Sequence, residues 1–226
     1  MAAGETFSFR VVLIGEAIGY LPYFILAVQE LGRAGLGARR GQFDLLTVDA
    51  LPLSSEPKVI FHADDGSLSS DGCIIQWHDV VAATEKFDPT EVTIEFITPG
   101  RFRYGGTCVD QLDFHILARN LLRRIAQLSH FHCKETLELD FRGMIERATA
   151  VRCKASSLHW YDWSRFSTRQ RQRMALGGLL GSATFSGTIS EFLPFLFLGQ
   201  IIHAGKGTTF GLGRYRIISV STEANR

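Results

Sequence analysis

The sequence is poor in cysteine, and its cysteines lie far apart. Only four occur in 226 residues, and no two of them form a CxxC pair. They are Cys73, Cys108, Cys133 and Cys153. This spacing is not that of a disulfide-rich secreted fold or of a zinc finger. We therefore expect a protein of a reducing compartment, the cytoplasm.

Long apolar segments are also missing. The uncharged apolar run at 17–28 has 12 residues, and the run at 192–198 is shorter and contains Pro194. A helix that spans a bilayer needs about 20 such residues. No segment resembles a secretory signal. The sequence predicts a soluble protein without a membrane segment.

Familiar motifs for cofactors and catalysis are absent. No GxSxG elbow occurs, and the glycines near the C-terminus have neither Walker nor Rossmann spacing. His130, His132 and Cys133 could offer metal ligands, but no second paired cluster accompanies them. We interpret them as exposed residues at a helix end. The sequence predicts no metal and no cofactor.

The composition is that of a globular protein, but its charge is unevenly distributed. Hydrophobic residues make up 46% of the chain and the formal net charge is +1. Residues 1–100 hold 6 basic and 14 acidic residues, a net charge of −8, whereas residues 101–226 hold 18 and 9, a net charge of +9. A basic half of this kind suits a polyanionic partner. An uneven distribution without functional meaning is the alternative.

The sequence pattern of the first half predicts a short segment of strand, helix and strand. Alternation over 7–14 predicts a strand, and apolar residues at spacings of three and four predict a helix over 21–34. A second strand is expected over 43–48. We interpret 49–90 as a hairpin and linker with a strand at 58–62.

The second half predicts a complete split βαβ pattern. From residue 91 onward we expect a strand, a helix from about Asp110, an extra helix, two strands, a buried helix and a last strand. That order is typical of a ferredoxin-like domain. The helix after Asp110 carries His115, Arg119 and Arg123 at a spacing of four, which predicts a basic, solvent-facing stripe. The expected element bounds are 92–100, 140–151, 158–164, 174–189, 191–202 and 214–220.

A glycine-rich segment between the last helix and the last strand is the most specific local feature. Its glycines are Gly205, Gly207, Gly211 and Gly213. Glycine permits positive φ and a close approach of backbone N–H groups to an anion, and Lys206 and Arg214 add positive charge. A loop that serves only tight packing is the alternative.

Aromatic residues and arginines alternate over 160–173. The arginines there are Arg165, Arg169, Arg171 and Arg173. Guanidinium groups pair with phosphates and aromatic faces hold unstacked bases, so the mixture suits single-stranded RNA. A strand beside a solvated basic loop would look similar.

These segments together resemble one family. The stretch Gly-Lys-Gly-Thr-Thr-Phe-Gly-Leu-Gly-Arg-Tyr at 205–215 is similar to the glycine-rich signature of the RAMP superfamily, specifically of the CRISPR precursor-RNA processing endoribonucleases, the sixth Cas family. Thr98-Pro99, the helix with Leu-Ala-Arg-Asn-Leu-Leu-Arg-Arg and the Trp160–Arg165 stretch also resemble it. The likeness covers residues 91–220 well, and residues 7–48 resemble the second half of the family's N-terminal domain.

The resemblance implies an α+β fold of tandem ferredoxin-like (RRM-like) domains, the first of them incomplete. Residues 1–90 would form the partial N-terminal domain with a linker, and 91–226 the C-terminal RNA-binding domain. The implied activity is metal-independent cutting of repeat RNA, in which a histidine promotes attack of a ribose 2′-OH and a 2′,3′-cyclic phosphate results. The residues expected to bind RNA are Gly205, Lys206, Gly207, Thr208, Thr209, Gly211, Gly213, Arg214, Arg165, Arg169, Arg171, Arg173, Arg119 and Arg123.

The catalytic histidine cannot be transferred from the family. Family members commonly place it near the first strand and helix, but no histidine precedes His62 in this chain. Either a first β-α-β portion is missing or another residue serves. His203, beside the glycine loop, is the candidate, with Lys206 as a phosphate clamp.

Three functions remain open at the level of sequence. The first is the repeat-RNA endoribonuclease, with CRISPR RNA and other Cas proteins as partners. The second is a non-catalytic RAMP-type subunit that holds guide RNA. The third is a structural α+β domain. A partial first domain would expose apolar surface unless a partner or a second copy covers it, which predicts a homodimer or poor solubility.

Overall fold

The computed structural model describes residues 4–37, 39–53, 56–69, 74–85, 87, 89–167 and 172–221, with the backbone alone over 165–167, 172–175 and 221. The chain forms two units, residues 1–73 with 131–134, and residues 74–130 with 135–226. The α+β class expected from the sequence is confirmed.

The described residues of the first unit form one α-helix and one pair of strands. Its elements are a 3₁₀ turn at Gly15–Tyr20, α1 (Leu21–Ala34), β1 (Thr47–Ala50) and β2 (Lys58–His62). Strands β1 and β2 pair antiparallel, from Thr47 opposite His62 to Ala50 opposite Lys58. The bounds predicted for α1 and β2 are confirmed. Ile25 is the buried apolar side chain of α1, whereas Phe24 and Leu31 remain more than 40% exposed.

Two strand predictions in this unit need correction. The alternating residues 7–14 form no strand, because no described strand pairs with them, and Phe7, Phe9 and Val11 are exposed. The Phe7 ring instead contacts the Phe43 ring edge-on, with 5.3 Å between centroids. The strand predicted over 43–48 begins at Thr47, where its pairing with β2 begins.

The second unit holds most of the regular structure. In chain order its elements are α2 (Trp77–Thr84), β3 (Glu91–Gly100), β4 (Arg103–Tyr104), β5 (Thr107–Cys108), α3 (Phe114–Leu128), α4 (Phe141–Ala148), β6 (Arg152–Ser156), β7 (His159–Tyr161), β8 (Ser164–Ser167), β9 (Gln172–Ala175), β10 (Gly178–Ser186), α5 (Leu193–Ile202) and β11 (Tyr215–Ser221).

The main sheet has the strand order of a ferredoxin-like fold. The order is β11-β3-β10-β6, with β7 also paired to β10, and every pairing is antiparallel. When β6 and β7 count as one interrupted strand, this is the order 4-1-3-2. The split βαβ pattern predicted from residue 91 onward is therefore confirmed.

Several details of the second unit differ from prediction, among them β6 (Arg152–Ser156), which lies where no element was predicted. Helix α2 lies where we expected a linker. It begins with a capping box, in which the backbone N–H of Gln76 donates to Asp79 Oδ2 at 2.8 Å. The strand predicted over 158–164 divides into β7 and β8, and the run at 174–189 divides into β9 and β10. Both predicted strands divide because β7 pairs with β10 in the main sheet, as β6 does, whereas β8 pairs with β9 in a separate hairpin.

The core lies between the sheet and the helices α3 and α5. Ile94, Phe185, Leu117, Leu121 and Leu196 are each 1% exposed or less. Among the helices of the described part of the chain, none has the length and apolar character to cross a membrane.

Tyr215 joins β11 to α5. Its hydroxyl is buried and donates to the Leu196 carbonyl at 2.7 Å, and burial raises the pKa of this hydroxyl well above its ordinary value. Helix α5 passes so close that a Cβ on Gly199 would lie 2.1 Å from the Tyr215 hydroxyl oxygen. Gly199 therefore leaves room for this hydrogen bond.

We predict that Gly199→Ala destabilises the protein by about 1–3 kcal/mol, the usual range for overpacking a core. Tyr215→Phe should cost about 0.5–1.5 kcal/mol, because it removes the buried hydrogen bond to the Leu196 carbonyl. Since the phenylalanine removes the oxygen that the new methyl group meets, the double variant should lose less than the sum. Urea unfolding of the wild type, the two single variants and the double variant measures the losses in unfolding free energy. Additive losses would contradict the contact between Gly199 and the Tyr215 hydroxyl.

Candidate nucleic-acid interface

The glycine loop, residues 203–214, is shaped by a short 3₁₀ turn between two left-handed residues. The turn is Thr208–Phe210, and Gly207 and Gly211 flank it with φ of 75° and 80°. The Phe210 amide donates to the Gly207 carbonyl at 2.9 Å, and the Gly211 amide donates to the Thr208 carbonyl at 3.0 Å. Positive φ at both positions favours glycine.

The loop is tied along its length to the end of β3. The Lys206 amide donates to the Arg101 carbonyl at 2.8 Å, and the Gly213 amide donates to the Pro99 carbonyl at 3.0 Å. The Thr98 hydroxyl donates to the Gly211 carbonyl and accepts from the Arg214 amide, both at 2.8 Å. Thr98-Pro99 and the glycine loop are therefore parts of one structure.

The four glycines serve different purposes. A Cβ on Gly205 would lie 2.4 Å from the Arg101 carbonyl oxygen, and one on Gly213 would lie 1.8 Å from the Ala204 carbonyl oxygen. One on Gly207 would meet the Leu212 side chain at 2.8 Å, but a Cβ on Gly211 would meet nothing within 4 Å. Packing thus explains Gly205 and Gly213, whereas the backbone at Gly211 is open to a ligand.

The structure makes Lys206 a candidate for anion contact. Lys206 and Thr209 are exposed, while Thr208 and Arg214 are half-buried. Neither Lys206 nor Arg214 forms an ion pair with a carboxylate among the described residues.

His203 ends α5 with an unusual backbone. Its φ of 65° and ψ of 165° lie in a region that is essentially restricted to glycine. Such a conformation costs about 1–3 kcal/mol in a residue other than glycine, and such residues cluster at functional sites. The side chain is half-buried. The structure therefore gives His203 a distinctive backbone position at the start of the glycine loop.

A second basic surface lies on α3. Arg119 and Arg123 are exposed, as the stripe predicts, and His115 is half-buried. The Arg119 guanidinium lies 5.8 Å from the centroid of the Tyr104 ring, and the ring of Tyr104 contacts that of His115 edge-on at 5.2 Å between centroids. The described residues provide no carboxylate partner for Arg119 or Arg123.

Sequence reasoning missed Tyr104 and the hairpin that carries it. Strands β4 and β5 are joined by Gly105 and Gly106, both with positive φ. The Gly-Gly pair is a hairpin signal that could have been found. Asn120 on α3 holds the hairpin, because its side-chain amide donates to the Arg103 carbonyl at 3.3 Å.

The arginine-rich stretch is described only in part. Arg165 and Arg173 lie on the β8–β9 hairpin, where Arg165 pairs with Met174 and Phe166 with Arg173. Arg169 and Arg171 fall outside the described residues. Their contacts with RNA remain predictions.

Two further sequence predictions concern metals and thiols. His130 and His132 are exposed at the end of α3, as expected. No group of three or more His, Cys, Asp or Glu side chains could hold a metal among the residues that the structure describes. Cys108, Cys133 and Cys153 are free thiols, and Cys73 falls outside the described residues.

Comparison with known families matches both parts of the chain. A family model described as CRISPR-associated endoribonuclease Cas6 matches residues 94–215, more than half of the chain. A second model, described as an N-terminal domain, matches residues 1–72. No curated protein matches the chain.

Solved structures share the fold at low sequence identity. Thermus thermophilus Cas6 (TTHB231) aligns with a TM-score of 0.50 and 15% identity over 65% of this chain and 60% of that one. A Cas6 (TTHB231) product complex aligns with a TM-score of 0.57 and 15% identity over 86% of this chain and 70% of that one. The chain thus spans 60–70% of these relatives.

We predict that Gly205→Ala destabilises the protein more than Gly211→Ala. Both residues have positive φ, so each alanine carries a backbone cost of about 1 kcal/mol, but only the Gly205 Cβ collides with a carbonyl oxygen. Thermal unfolding followed by circular dichroism measures the two losses. Equal losses would contradict the close approach of the loop to β3.

Proposed function

Because this chain belongs to the Cas6 family of CRISPR-associated endoribonucleases, we propose that it binds CRISPR repeat RNA and cuts precursor crRNA. The observation that supports this most directly is the glycine loop, with Lys206 and Arg214 beside the open backbone of Gly211. Cations without a carboxylate partner attract phosphates more strongly than paired ones do. The exposed Arg119 and Arg123 provide the second basic surface on α3.

The paired cations of the sheet argue for the loop as the binding surface. On the open face of the sheet, Lys154 forms an ion pair with Glu91, and Arg216 Nε lies 2.5 Å from Glu95 Oε2. These carboxylates sit on β3 in the middle of the sheet and neutralise the two cations, so this part of the sheet has little net attraction for phosphate. RNA therefore follows the loop and the arginines rather than the sheet face.

The proposed cleavage needs no metal. The ribose 2′-oxygen forms a bond to the adjacent phosphorus while the bond from phosphorus to the 5′-oxygen breaks. A base takes the 2′-hydroxyl proton, and the leaving 5′-oxygen gains a proton to become a hydroxyl. The products are a 2′,3′-cyclic phosphate and a 5′-hydroxyl end. We assign the role of the base to His203, because imidazole is the side chain that most often serves as a general base, and we assign stabilisation of the charge on the phosphate to Lys206.

The alternative is a non-catalytic subunit that holds guide RNA. It is favoured by the absence of any histidine before His62, since the family commonly places its catalytic histidine in that part. Both functions use the same RNA surface, so cleavage separates them.

The remaining assignments are also proposals. The RNA-binding domain comprises residues 91–226 together with α2, which lies in the same unit although the sequence predicted it in the linker. The exposed Phe7, Phe9 and Tyr23 of the first unit support a contact with a second copy of the chain or with another Cas protein. The working compartment is the cytoplasm.

Incubation with labelled CRISPR-repeat RNA in excess EDTA tests the function. We expect a band shift and a product with a 2′,3′-cyclic phosphate end, and a probe with one 2′-deoxynucleotide before the cut should bind without being cut. Binding without cleavage of the all-ribose probe would favour the guide-RNA subunit. Failure to bind at low salt would contradict both functions.

Two variants, His203→Gly and His203→Ala, test in the same assay whether His203 is the base. Glycine accepts the backbone conformation, so His203→Gly should melt higher than His203→Ala, and both should lose cleavage while RNA binding persists. A more stable but inactive His203→Gly protein cannot be explained by misfolding. Full activity in either variant would remove His203 as the base.

A separate prediction concerns the loop cations and the salt dependence of RNA binding. Lys206→Ala or Arg214→Ala should weaken RNA binding and lower the slope of log K against log salt by about 0.7–1 per lost phosphate contact. Arg216→Ala is the matched control, because Arg216 is exposed but paired with Glu95. Titrations at several salt concentrations give the slopes. Equal slopes in all three variants would exclude the loop as the phosphate site.

A further inference from the structure

Three aromatic side chains surround a shallow cavity beside the glycine loop. Tyr161, Trp163 and Phe210 line it together with Pro99 and Gly211, and its volume is about 270 Å³. The three aromatic residues are 46%, 40% and 52% exposed. A cluster of half-exposed aromatic side chains in one concave place marks an interaction site more often than scattered exposed residues do.

We propose that this cavity stacks one unpaired base of a bound RNA, an inference that rests on the proposed RNA-binding function. The cavity is smaller than the roughly 300–1,000 Å³ of pockets for drug-sized ligands, so a single planar group suits it better than a whole cofactor. Aromatic side chains provide flat surfaces for any base, with little preference for its identity.

The position of the cavity favours a base over an apolar protein segment. Gly211 forms part of its wall, and a Cβ there would meet nothing within 4 Å, so a ligand can approach the backbone closely. Thr98, another residue of the wall, accepts a hydrogen bond from the Arg214 amide at 2.8 Å. The cavity thus adjoins the loop that carries Arg214 and Lys206, and the Arg214 backbone is hydrogen-bonded to a residue of its wall.

Trp160 provides a matched comparison for Trp163. Both tryptophans are 40% exposed and lie three residues apart. The Trp160 indole N–H donates to Asp162 Oδ1 at 2.8 Å, and Trp160 does not line the cavity. Loss of an exposed tryptophan as such should therefore affect both variants, whereas loss of a stacking surface should affect only Trp163.

The test compares the wild type with Trp163→Ala, Trp163→Phe and Trp160→Ala. The probes are an eight-nucleotide single-stranded oligouridylate, the same oligonucleotide with abasic sites, and a blunt RNA hairpin. Fluorescence anisotropy should show the single-stranded probe binding about fivefold to a hundredfold more weakly to Trp163→Ala, within a few-fold of wild type to Trp163→Phe, and unchanged to Trp160→Ala.

Two readouts separate stacking from charge and from folding. The salt slope of Trp163→Ala should equal that of the wild type, because a stacked base releases no counterion. The abasic probe should bind the wild type and Trp163→Ala equally. The melting temperature of each variant checks its fold.

Several results would overturn the inference. One is an equal loss of affinity for the single-stranded probe in Trp160→Ala and Trp163→Ala. Another is an equal loss of affinity for the hairpin and the single-stranded probe in Trp163→Ala, since the site would then not select an unpaired base. If the wild type binds the single-stranded probe and Trp163→Ala binds it equally well, the stacking site is wrong while the RNA-binding function stands. If the wild type binds none of the RNA probes, the proposed function fails as well.

Discussion

The Thr98 hydroxyl donates a hydrogen bond to the Gly211 carbonyl and accepts one from the Arg214 amide, each at 2.8 Å. Through these two bonds, the last turn of the glycine loop is held against the end of β3. This contact places the open backbone of Gly211, the backbone of Arg214, and the part of the aromatic cavity wall formed by Thr98 and Gly211, whereas Lys206 is held by its own bond to the Arg101 carbonyl. A hydroxyl is suited to it because one oxygen can act as donor and acceptor at once.

The cations of the second unit are of two kinds, those paired with carboxylates on the sheet and those without such a partner at the loop and on α3. On the sheet, Arg216 and Lys154 are paired with glutamates of β3, so that the sheet face has little net attraction for phosphate. At the loop and on α3, Lys206 and Arg119 lack such partners within the described part of the chain. The basic excess of residues 101–226 is thus available where the backbone is also open. This combination supports the proposal that RNA binds along the glycine loop.

The sequence predicted the second unit better than the first, for a physical reason. The alternation of β3 and the apolar spacing of α3 agree with the structure because both elements are buried against each other, so periodicity reflects their packing. Residues 7–14 alternate equally well but have no described strand beside them, and alternation alone cannot provide one. The glycines of the loop were recognised by type, but their separate purposes depend on contacts with Arg101 and Ala204 that no local pattern contains. Phe210 was likewise visible only as a loop residue, since its cavity forms with Tyr161 and Trp163, nearly fifty residues away.

The central claim is that RNA lies on the glycine loop of the second unit. It is tested most directly by photocrosslinking repeat RNA that carries 4-thiouridine to the full chain, followed by mass spectrometry of the crosslinked peptides. The account predicts crosslinks within residues 203–214 and at Tyr161 or Trp163, and their loss when unlabelled repeat RNA competes. Crosslinks confined to the first unit or to the open face of the sheet, around Glu91 and Glu95, would contradict it.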